Sequence, residues 1–335
     1  MSFGFNKNGF IATFATIIGL IFFVSCGGGG GGGGGGGTTG LTYSGLTTPA
    51  TITDTNAEDI AASAYHGGST TTAFSGIVMS LQEPEPLVNE LNRLFFADIT
   101  MAIEAVVAGI DFESGIEPNL SAAIQSESDY IDGGCGGSAF YSLQVDDQSG
   151  DFTGSLRFDD YCEDGTTLNG RTNFSGQINV NTLEFEYFTL SFDSIIGTSG
   201  SESVTMDGVI DFSTSGASIV ATMNMLVRDD NVHLVFRMQD YQMTLTDYWD
   251  YIEIDISGRF YHPDYGYVDL ETTTPFEVYF VDDYPTSGVL EVTGEGSTGV
   301  RLTAIDETTC QVDADTDGDG NYDNYTSGLI PWAEL

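Results

Sequence analysis

From Ser138 to the C-terminus, apolar and polar residues alternate with a period of two. In the segment 204–213, for example, the apolar residues Val204, Met206, Ile210 and Phe212 alternate with polar ones, and the same pattern recurs in 219–227, 232–238 and 252–260. A period of two places apolar side chains on one face of a β-strand and polar side chains on the other. The chain is therefore predicted to consist mainly of strands with one buried and one solvated face.

The connections between these predicted strands are short turns, at residues 213–216, 229–231, 262–264 and 282–288. A parallel neighbour needs a crossover connection of about a dozen residues or more, so the strands are expected to run antiparallel, mostly each beside the next. The predicted fold is mainly β: an antiparallel meander over residues 135–335 that forms a curved sheet, a barrel or a sandwich. It is preceded by a small N-terminal helical part.

Two helices are predicted in this N-terminal part, residues 41–134. Asn56 can cap a short helix that stops at Gly67, and Pro86 can begin a second helix whose apolar residues recur at helical spacing from Leu87 to Val106. The second apolar stripe could bind lipid or a partner, but an apolar helix face more often packs on a core. We therefore expect it to cover part of the sheet.

The first 25 residues have the layout of a secretory signal peptide. Lys7 precedes an almost wholly apolar run from Phe10 to Val24, and the small residue Ser25 stands before Cys26. The run is shorter than the about 20 residues that a transmembrane helix needs. A signal peptide that ends at a cysteine resembles the lipobox of bacterial lipoproteins. The resemblance implies that residues 1–25 are removed and that Cys26 is lipidated, and Gly27 after it, rather than Asp, implies export to the outer membrane.

A run of glycines, residues 27–37, follows Cys26 directly. Such a segment has no side chains to bury, so residues 26–40 are predicted to be a flexible tether. The random-coil relation for glycine-rich chains gives this tether a reach of roughly 20 Å.

The charge of the chain is strongly negative, with 50 acidic residues against 8 basic ones. Nucleic-acid binding needs a basic surface that neutralises phosphates, so this composition argues against a nucleic-acid partner. An acidic surface favours divalent cations or cationic partners, and it also keeps a protein soluble when there is no partner at all.

Four cysteines become three if Cys26 carries lipid, and an exported chain lies in a compartment where thiols pair. Cys135 and Cys162 flank one predicted hairpin, so a disulfide between them would join its open ends. Cys310 is then left over, and it is expected to be buried in a strand as a small apolar residue.

Residues that carry common enzyme chemistry are scarce. The three histidines, His66, His233 and His262, fall in loop, solvated-strand and turn contexts, which predicts surface positions. The sequence holds no nucleophile elbow, zinc-protease helix, P-loop or dinucleotide fingerprint. Two carboxylates can hydrolyse a glycosidic bond without any local motif, so a glycosidase stays open as an alternative. No catalytic residue is predicted.

Six aromatic residues lie close together in the sequence around one predicted hairpin: Tyr248, Trp249, Tyr251, Tyr261, Tyr265 and Tyr267. They could form a surface on which sugars stack. Cross-strand aromatic pairs stabilise sheets equally well, and such pairs are the default expectation.

An acidic segment near the C-terminus has the spacing of a metal loop. Residues 315–323 read Asp-x-Asp-x-Asp-Gly-x-x-Asp, with Asp313 two residues before them, and this pattern resembles the calcium loops of thrombospondin type 3 repeats and dockerins. The resemblance implies one Ca²⁺ held by Asp315, Asp317, Asp319 and Asp323, with Asp313 and Asn321 as replacements. Oxygen ligands with no His or Cys nearby favour Ca²⁺ over Zn²⁺. A plain Asp-Gly hairpin turn between two strands is the alternative.

These features predict a lipoprotein of the outer membrane or cell surface, anchored in the membrane through Cys26. We expect it to act as a structural, adhesive or binding module rather than as an enzyme. A carrier that encloses an apolar ligand in a curved sheet and a carboxylate-pair glycosidase are the two alternatives.

Overall fold

The computed structural model describes residues 40–67, 124–146, 148–163, 165–178, 185–215 and 218–335. The predicted lipidation site Cys26, the glycine run 27–37 and the predicted helix over 87–106 lie outside these residues. Within them, no helix is long and apolar enough to cross a membrane.

The described chain contains one α-helix and fourteen strands. The helix α1 spans Ala57–Tyr65. The strands are β1 Ile124–Asp132, β2 Gly136–Asp146, β3 Asp151–Glu163, β4 Thr166–Ile178, β5 Phe185–Ser199, β6 Glu202–Ser215, β7 Ser218–Asp229, β8 Leu234–Asp247, β9 Tyr251–His262, β10 Gly266–Tyr279, β11 Ser287–Thr293, β12 Gly299–Asp306, β13 Thr309–Asp315 and β14 Tyr325–Pro331. Short 3₁₀ turns lie at Glu295–Ser297 and Trp332–Glu334.

The strand order in the sheet is the order in the chain, from β1 to β14. The prediction of a mainly β antiparallel meander is therefore confirmed. Among the described strands, β1 and β14 are at the two ends of this order. The sheet also begins earlier than the predicted boundary at residue 135, because β1 starts at Ile124.

The chain divides into two compact units, one that contains β1–β6 and one that contains residues 40–67 with β7–β14. In the first unit, a row of phenylalanines crosses the buried face from strand to strand. The rings of Phe152 and Phe188 lie 6.0 Å apart, and those of Phe188 and Phe212 also lie 6.0 Å apart. Phe174 lies beside this row, 6.5 Å from Phe188. These cross-strand aromatic contacts hold β3 to β6 in register.

A disulfide joins Cys135 to Cys162 in the first unit, with their Cα atoms 5.1 Å apart. Gly136, the first residue of β2, is the register partner of Cys162 in β3. The disulfide therefore closes the open end of the β2–β3 hairpin, which confirms the predicted pairing. Cys310 is a free cysteine and is fully buried in β13, as expected.

Two β-bulges are built from the same residue types, an aspartate in the bulge and an asparagine on a neighbouring strand. At Asp160 and Asp240 the backbone is left-handed, with φ of 49° and 47°, and the strand register shifts there. An asparagine of a neighbouring strand, Asn169 or Asn224, accepts the N–H of each aspartate at 3.0 Å and donates its side-chain amide to the same aspartate. A Cβ atom on Gly258 would lie 2.3 Å from the Asp240 carbonyl oxygen, so only glycine fits opposite this bulge.

In the second unit, α1 packs on β9 and β11–β13 through its apolar face. Its buried residues are Ala57, Ile60, Ala61 and Ala64. The predicted side-chain cap is wrong, because Asn56 makes no hydrogen bond to the first turn and its Oδ1 accepts the Thr53 N–H at 2.8 Å instead. At the other end, the buried Tyr241 hydroxyl donates to the carbonyl oxygen of Ala64 at 3.1 Å. The sheet thus gives a second donor to this carbonyl group, which also accepts the Gly67 N–H at 3.2 Å.

The segment before α1 is bonded into the same unit by its backbone. The N–H of Ala50 donates to the Tyr267 carbonyl at 2.8 Å, and the Tyr267 N–H donates to the Thr48 carbonyl at 2.9 Å. The Ala50 carbonyl in turn accepts the N–H of Glu295 at 2.7 Å. Residues 48–50 therefore connect β10 to the turn before β12.

Candidate metal centre

The acidic segment begins where β13 ends. Asp315 is the last residue of β13 and pairs with Gly299 of β12, whereas β14 joins β13 only from Tyr325, opposite Ala314. Residues 316–324 therefore leave the sheet as a loop. The side-chain oxygen of Asn324 accepts the Thr316 N–H at 2.8 Å, and the Asn324 N–H donates to the Ala314 carbonyl at 3.1 Å, which closes the loop at its base.

Asp315 occupies the centre of this loop and is only 1% exposed. One of its carboxylate oxygens accepts the Gly318 N–H at 2.7 Å, and the other accepts the Gly320 N–H at 2.7 Å. Burial alone would raise the pKa of Asp315, but the N–H groups of Gly320, Gly318 and Asp319 outweigh it and lower this pKa. The buried carboxylate is therefore held in its ionised form.

Asp317 and Asp319 bring two further carboxylates to the same place. Each of these residues and Asp315 offers one oxygen, and the three oxygens lie within 4.8 Å of one another. Asp317 and Asp319 are exposed. Three carboxylate oxygens at this separation could hold one metal ion between them.

The loop packs against the 3₁₀ turn before β12. Gly318 has φ of 77°, and a Cβ atom there would lie 2.4 Å from the carbonyl oxygen of Gly296. A side chain at position 318 would therefore separate the loop from this turn. Gly320 also has a positive φ, 87°, which follows from the sharp bend that turns its N–H toward Asp315.

The other predicted ligands do not belong to this group. The two carboxylate oxygens of Asp313 both accept the Gln311 side-chain amide at 2.9 Å. Asn321 donates both its backbone and its side-chain N–H to Asp319, at 2.8 Å and 3.1 Å. Asp323 is exposed and lies outside the group of three oxygens among the described residues. The structure thus brings together Asp315, Asp317 and Asp319 of the predicted set.

A neighbouring cluster was not predicted from the sequence. The guanidinium of Arg301 lies 4.1 Å from the centre of the Tyr322 ring and 2.7 Å from a carboxylate oxygen of Glu291. A Cβ atom on Gly299 would lie 3.0 Å from the Tyr322 hydroxyl, so Tyr322 lies closely over β12. Only the strand register, in which Arg301 pairs with both Glu291 and Asp313, reveals this cluster.

The histidines are not all at the surface. His233 is exposed in the β7–β8 turn, but His262 is buried, contrary to the prediction. Its Nδ1 accepts the Asp264 N–H at 3.2 Å, its Nε2 lies 3.9 Å from Asp59 of α1, and the Tyr265 ring stacks on it at 4.3 Å. Burial lowers the pKa of His262, although Asp59 and Asp264 act in the opposite direction.

The six clustered aromatic residues separate into two groups at opposite ends of β9. Tyr248 and Tyr251 stack at 4.7 Å near its first residue, and the rings of Tyr261 and Tyr267 pair across β9 and β10 near its last residue, 5.4 Å apart. They therefore do not form one continuous stacking surface.

Comparison with protein-family models, with curated proteins and with solved structures finds no match to this chain. Its function is therefore inferred from its residues and their geometry.

Proposed function

We propose that this protein is a lipid-anchored module of the bacterial outer membrane or cell surface and that it acts by binding rather than by catalysis. We also propose that Asp315 and the 316–324 loop that follows it bind one Ca²⁺. The observation that carries the calcium proposal is the buried, ionised carboxylate of Asp315 with two more carboxylate oxygens within 4.8 Å. The anchor is supported by the signal-peptide pattern that ends at Cys26.

Calcium fits the chemistry of the loop better than zinc does. Carboxylate oxygens are hard ligands, and the three-carboxylate group contains neither His nor Cys. Three carboxylates this close repel one another, and a divalent cation would remove that repulsion. We assign Asp315, Asp317 and Asp319 as the ligands, and backbone carbonyls and water would complete the six to eight oxygens that Ca²⁺ takes.

The position of the loop supports a structural role for the ion. The loop connects β13 to β14 and touches the turn before β12 at Gly296. A bound ion would hold the last three strands together, and no step of a reaction is required of it.

Calorimetric titration of the full chain with Ca²⁺, together with thermal melting in excess Ca²⁺ and in chelator, tests this proposal. At a free Ca²⁺ concentration of about one hundred times Kd, binding should stabilise the fold by about 2.7 kcal/mol. Asp319→Asn removes one ligand charge without changing the size of the side chain, and we expect it to weaken binding by about tenfold or more.

The matched control is Asp323→Asn, which removes the same charge from an exposed residue of the same loop outside the ligand group. It should change the affinity by no more than about twofold, because Asp323 offers no oxygen to the ligand group and salt screens an exposed charge. An equal loss in both variants would show that affinity follows net charge rather than ligand geometry. Identical melting curves with and without Ca²⁺, and no heat of binding at millimolar Ca²⁺, would leave the loop as a plain turn.

Two different results would replace the binding role. Lipid that stays with the purified chain in native mass spectrometry would indicate the carrier function. Turnover of a polysaccharide that is lost when one carboxylate is removed would indicate the glycosidase function.

A further inference from the structure

A row of tyrosines lies where β8 ends, β9 begins and β10 ends. His262 lies at the opposite end of β9. The rings of Tyr248 and Tyr251 are nearly parallel at 4.7 Å, and the Tyr279 ring follows 5.4 Å from Tyr251 on the next strand. Two apolar side chains in the adjoining turns are almost fully open to water, Trp249 at 93% exposed and Val281 at 88%. Exposed aromatic and apolar groups that lie together are more often a contact surface than scattered single ones are.

Two glutamates lie next to the tyrosine row on the same face of the sheet. Tyr251 pairs with Tyr279 across β9 and β10, and Glu253 pairs with Glu277 two residues further along. The Tyr248 hydroxyl donates to a Glu253 carboxylate oxygen at 3.1 Å. Like charges directly opposite each other destabilise a sheet, so the Glu253 and Glu277 pair works against folding unless a cation lies between them.

Elsewhere in this unit the chain supplies that cation itself. The guanidinium of Arg259 lies 3.9 Å from the centre of the Tyr267 ring and 2.7 Å from a carboxylate oxygen of Asp269. Arg301 makes the same pair of contacts with Tyr322 and Glu291. The combination of one tyrosine, one carboxylate and one guanidinium is therefore a recurring feature of this unit.

The remaining arginines of the unit are also placed away from the tyrosine row. Arg237 lies over Tyr261 near the last residues of β9, at 4.8 Å, and Arg228 pairs with Asp230 in the turn that precedes β8. Tyr248 and Tyr279 lie at the other ends of these strands. The tyrosine row and its two glutamates therefore lie on the solvated face without an arginine of this unit, because all four of its arginines contact other residues.

We propose that the surface formed by Tyr248, Tyr251, Tyr279, Glu253 and Glu277, named here the Tyr/Glu surface, binds arginine side chains of a basic segment on a partner protein. A guanidinium can stack on an aromatic ring and form two hydrogen bonds to a carboxylate. One arginine can therefore contact both a tyrosine ring and a glutamate carboxylate of this surface. The exposed Trp249 and Val281 would contact the apolar stem of that side chain.

The charge of the surface favours this partner over a neutral glycan. A sugar could stack on the tyrosine rings, but it would leave the repulsion between Glu253 and Glu277 in place. A guanidinium removes that repulsion, and the negative charge of the whole chain would also attract a basic partner. The inference rests on the binding role proposed above and gives it a partner, but it does not depend on calcium.

The test is calorimetric titration of the full chain with acetyl-Gly-Arg-Gly-Arg-Gly-amide at about 0.15 M salt, where long-range attraction is screened. The comparison peptide has citrulline at both arginine positions, so it keeps the shape and loses the charge. We expect the arginine peptide to bind and to change the fluorescence of Trp249, and the citrulline peptide to bind at least about tenfold more weakly.

Paired variants distinguish the Tyr/Glu surface from general attraction to an acidic protein. Glu253→Gln with Glu277→Gln should weaken peptide binding by about tenfold or more, and Tyr251→Leu should weaken it by about threefold to tenfold. The control, Glu202→Gln with Glu271→Gln, removes the same charge from β6 and from a part of β10 six residues before Glu277, and it should change binding by less than about twofold. Melting curves of each variant report whether the fold is retained.

Three results would overturn the proposal: no binding of the arginine peptide, equal losses in the two double variants, or equal binding of the citrulline peptide or of a neutral oligosaccharide. The peptide is expected to bind equally in Ca²⁺ and in chelator. A chain that binds the peptide but not Ca²⁺ would therefore contradict the calcium proposal alone.

Discussion

His66 and His262 are held neutral by their surroundings at the two ends of the contact between α1 and the sheet. Burial lowers the pKa of His66 to about 4, and burial also lowers the pKa of His262. His66 follows the last turn of α1, and the imidazole of His262 lies 3.9 Å from Asp59 in its first turn. A proton on either ring therefore favours the unfolded chain, in which the imidazole is hydrated.

This placement predicts that the fold loses stability on mild acidification. The unfolded chain takes up protons near pH 6.5 and folded His66 only near pH 4, so stability falls as the pH drops through this window. Between about pH 7.5 and pH 5 the loss from His66 should reach about 2 kcal/mol. Chemical denaturation at several pH values measures it.

The double variant His66→Gln with His262→Gln should flatten this pH dependence, whatever its effect on stability at neutral pH. His233→Asn, which changes an exposed histidine in a turn, is the matched control and should keep the full dependence. A double variant with the slope of the original chain would show that other groups cause the acid sensitivity.

For individual residues of the metal loop, the sequence predicts the ligand group only in part. The spacing of acidic residues indicates Asp315, Asp317 and Asp319, but it cannot separate them from Asp313 and Asp323. The separation depends on where β13 ends, because Asp313 still lies in the strand and bonds Gln311, whereas Asp315 is the residue at which the chain turns. Hydrogen bonds to backbone N–H groups, which leave no pattern in the sequence, decide which carboxylate is buried.

Among the elements, strands β3 to β6 depend on the row of phenylalanines that crosses them. Phe188 lies in the middle of the row and is 3% exposed, with Phe152 and Phe212 on its two sides. Its removal would leave a cavity lined by these rings.

Phe188→Ala should therefore lower the free energy of unfolding by about 3 to 5 kcal/mol. The neighbouring Tyr187 points to the other face and is 47% exposed, so Tyr187→Ala should cost about 1 kcal/mol or less. Urea denaturation of the two variants makes the comparison. Equal losses would mean that the aromatic row does not form the core of these strands.

How well an element is predicted depends on whether one face of it is apolar. Strands β7 and β9 follow the alternation closely, because most of their alternating apolar residues lie on the buried face. The sequence of β1, Ile-Gln-Ser-Glu-Ser-Asp-Tyr-Ile-Asp, has no such alternation, and its described side chains are mostly exposed at the sheet edge. The predicted boundary at residue 135 missed this strand for that reason.

For the whole molecule, the proposed location depends on the single residue Cys26. If it is lipidated, Cys26→Ser should release the protein from the membrane fraction into the soluble fraction, because one acyl-bearing residue is its only expected anchor. Fractionation of cells that express each form, with mass spectrometry of the N-terminus, measures the outcome. A variant that stays in the membrane with residues 1–25 attached would point to a transmembrane segment instead.

The backbone bonds of residues 48–50 have a consequence for how the chain is made. Hairpin partners in the meander emerge within a few tens of residues of each other, so most of the sheet can form while synthesis proceeds. Thr48 and Ala50, however, are bonded to Tyr267 and Glu295, which are translated more than two hundred residues later. The earliest described segment must therefore wait for the latest strands, and a chain whose synthesis stops before residue 267 leaves that segment without its partner, open to proteases that remove unfinished proteins.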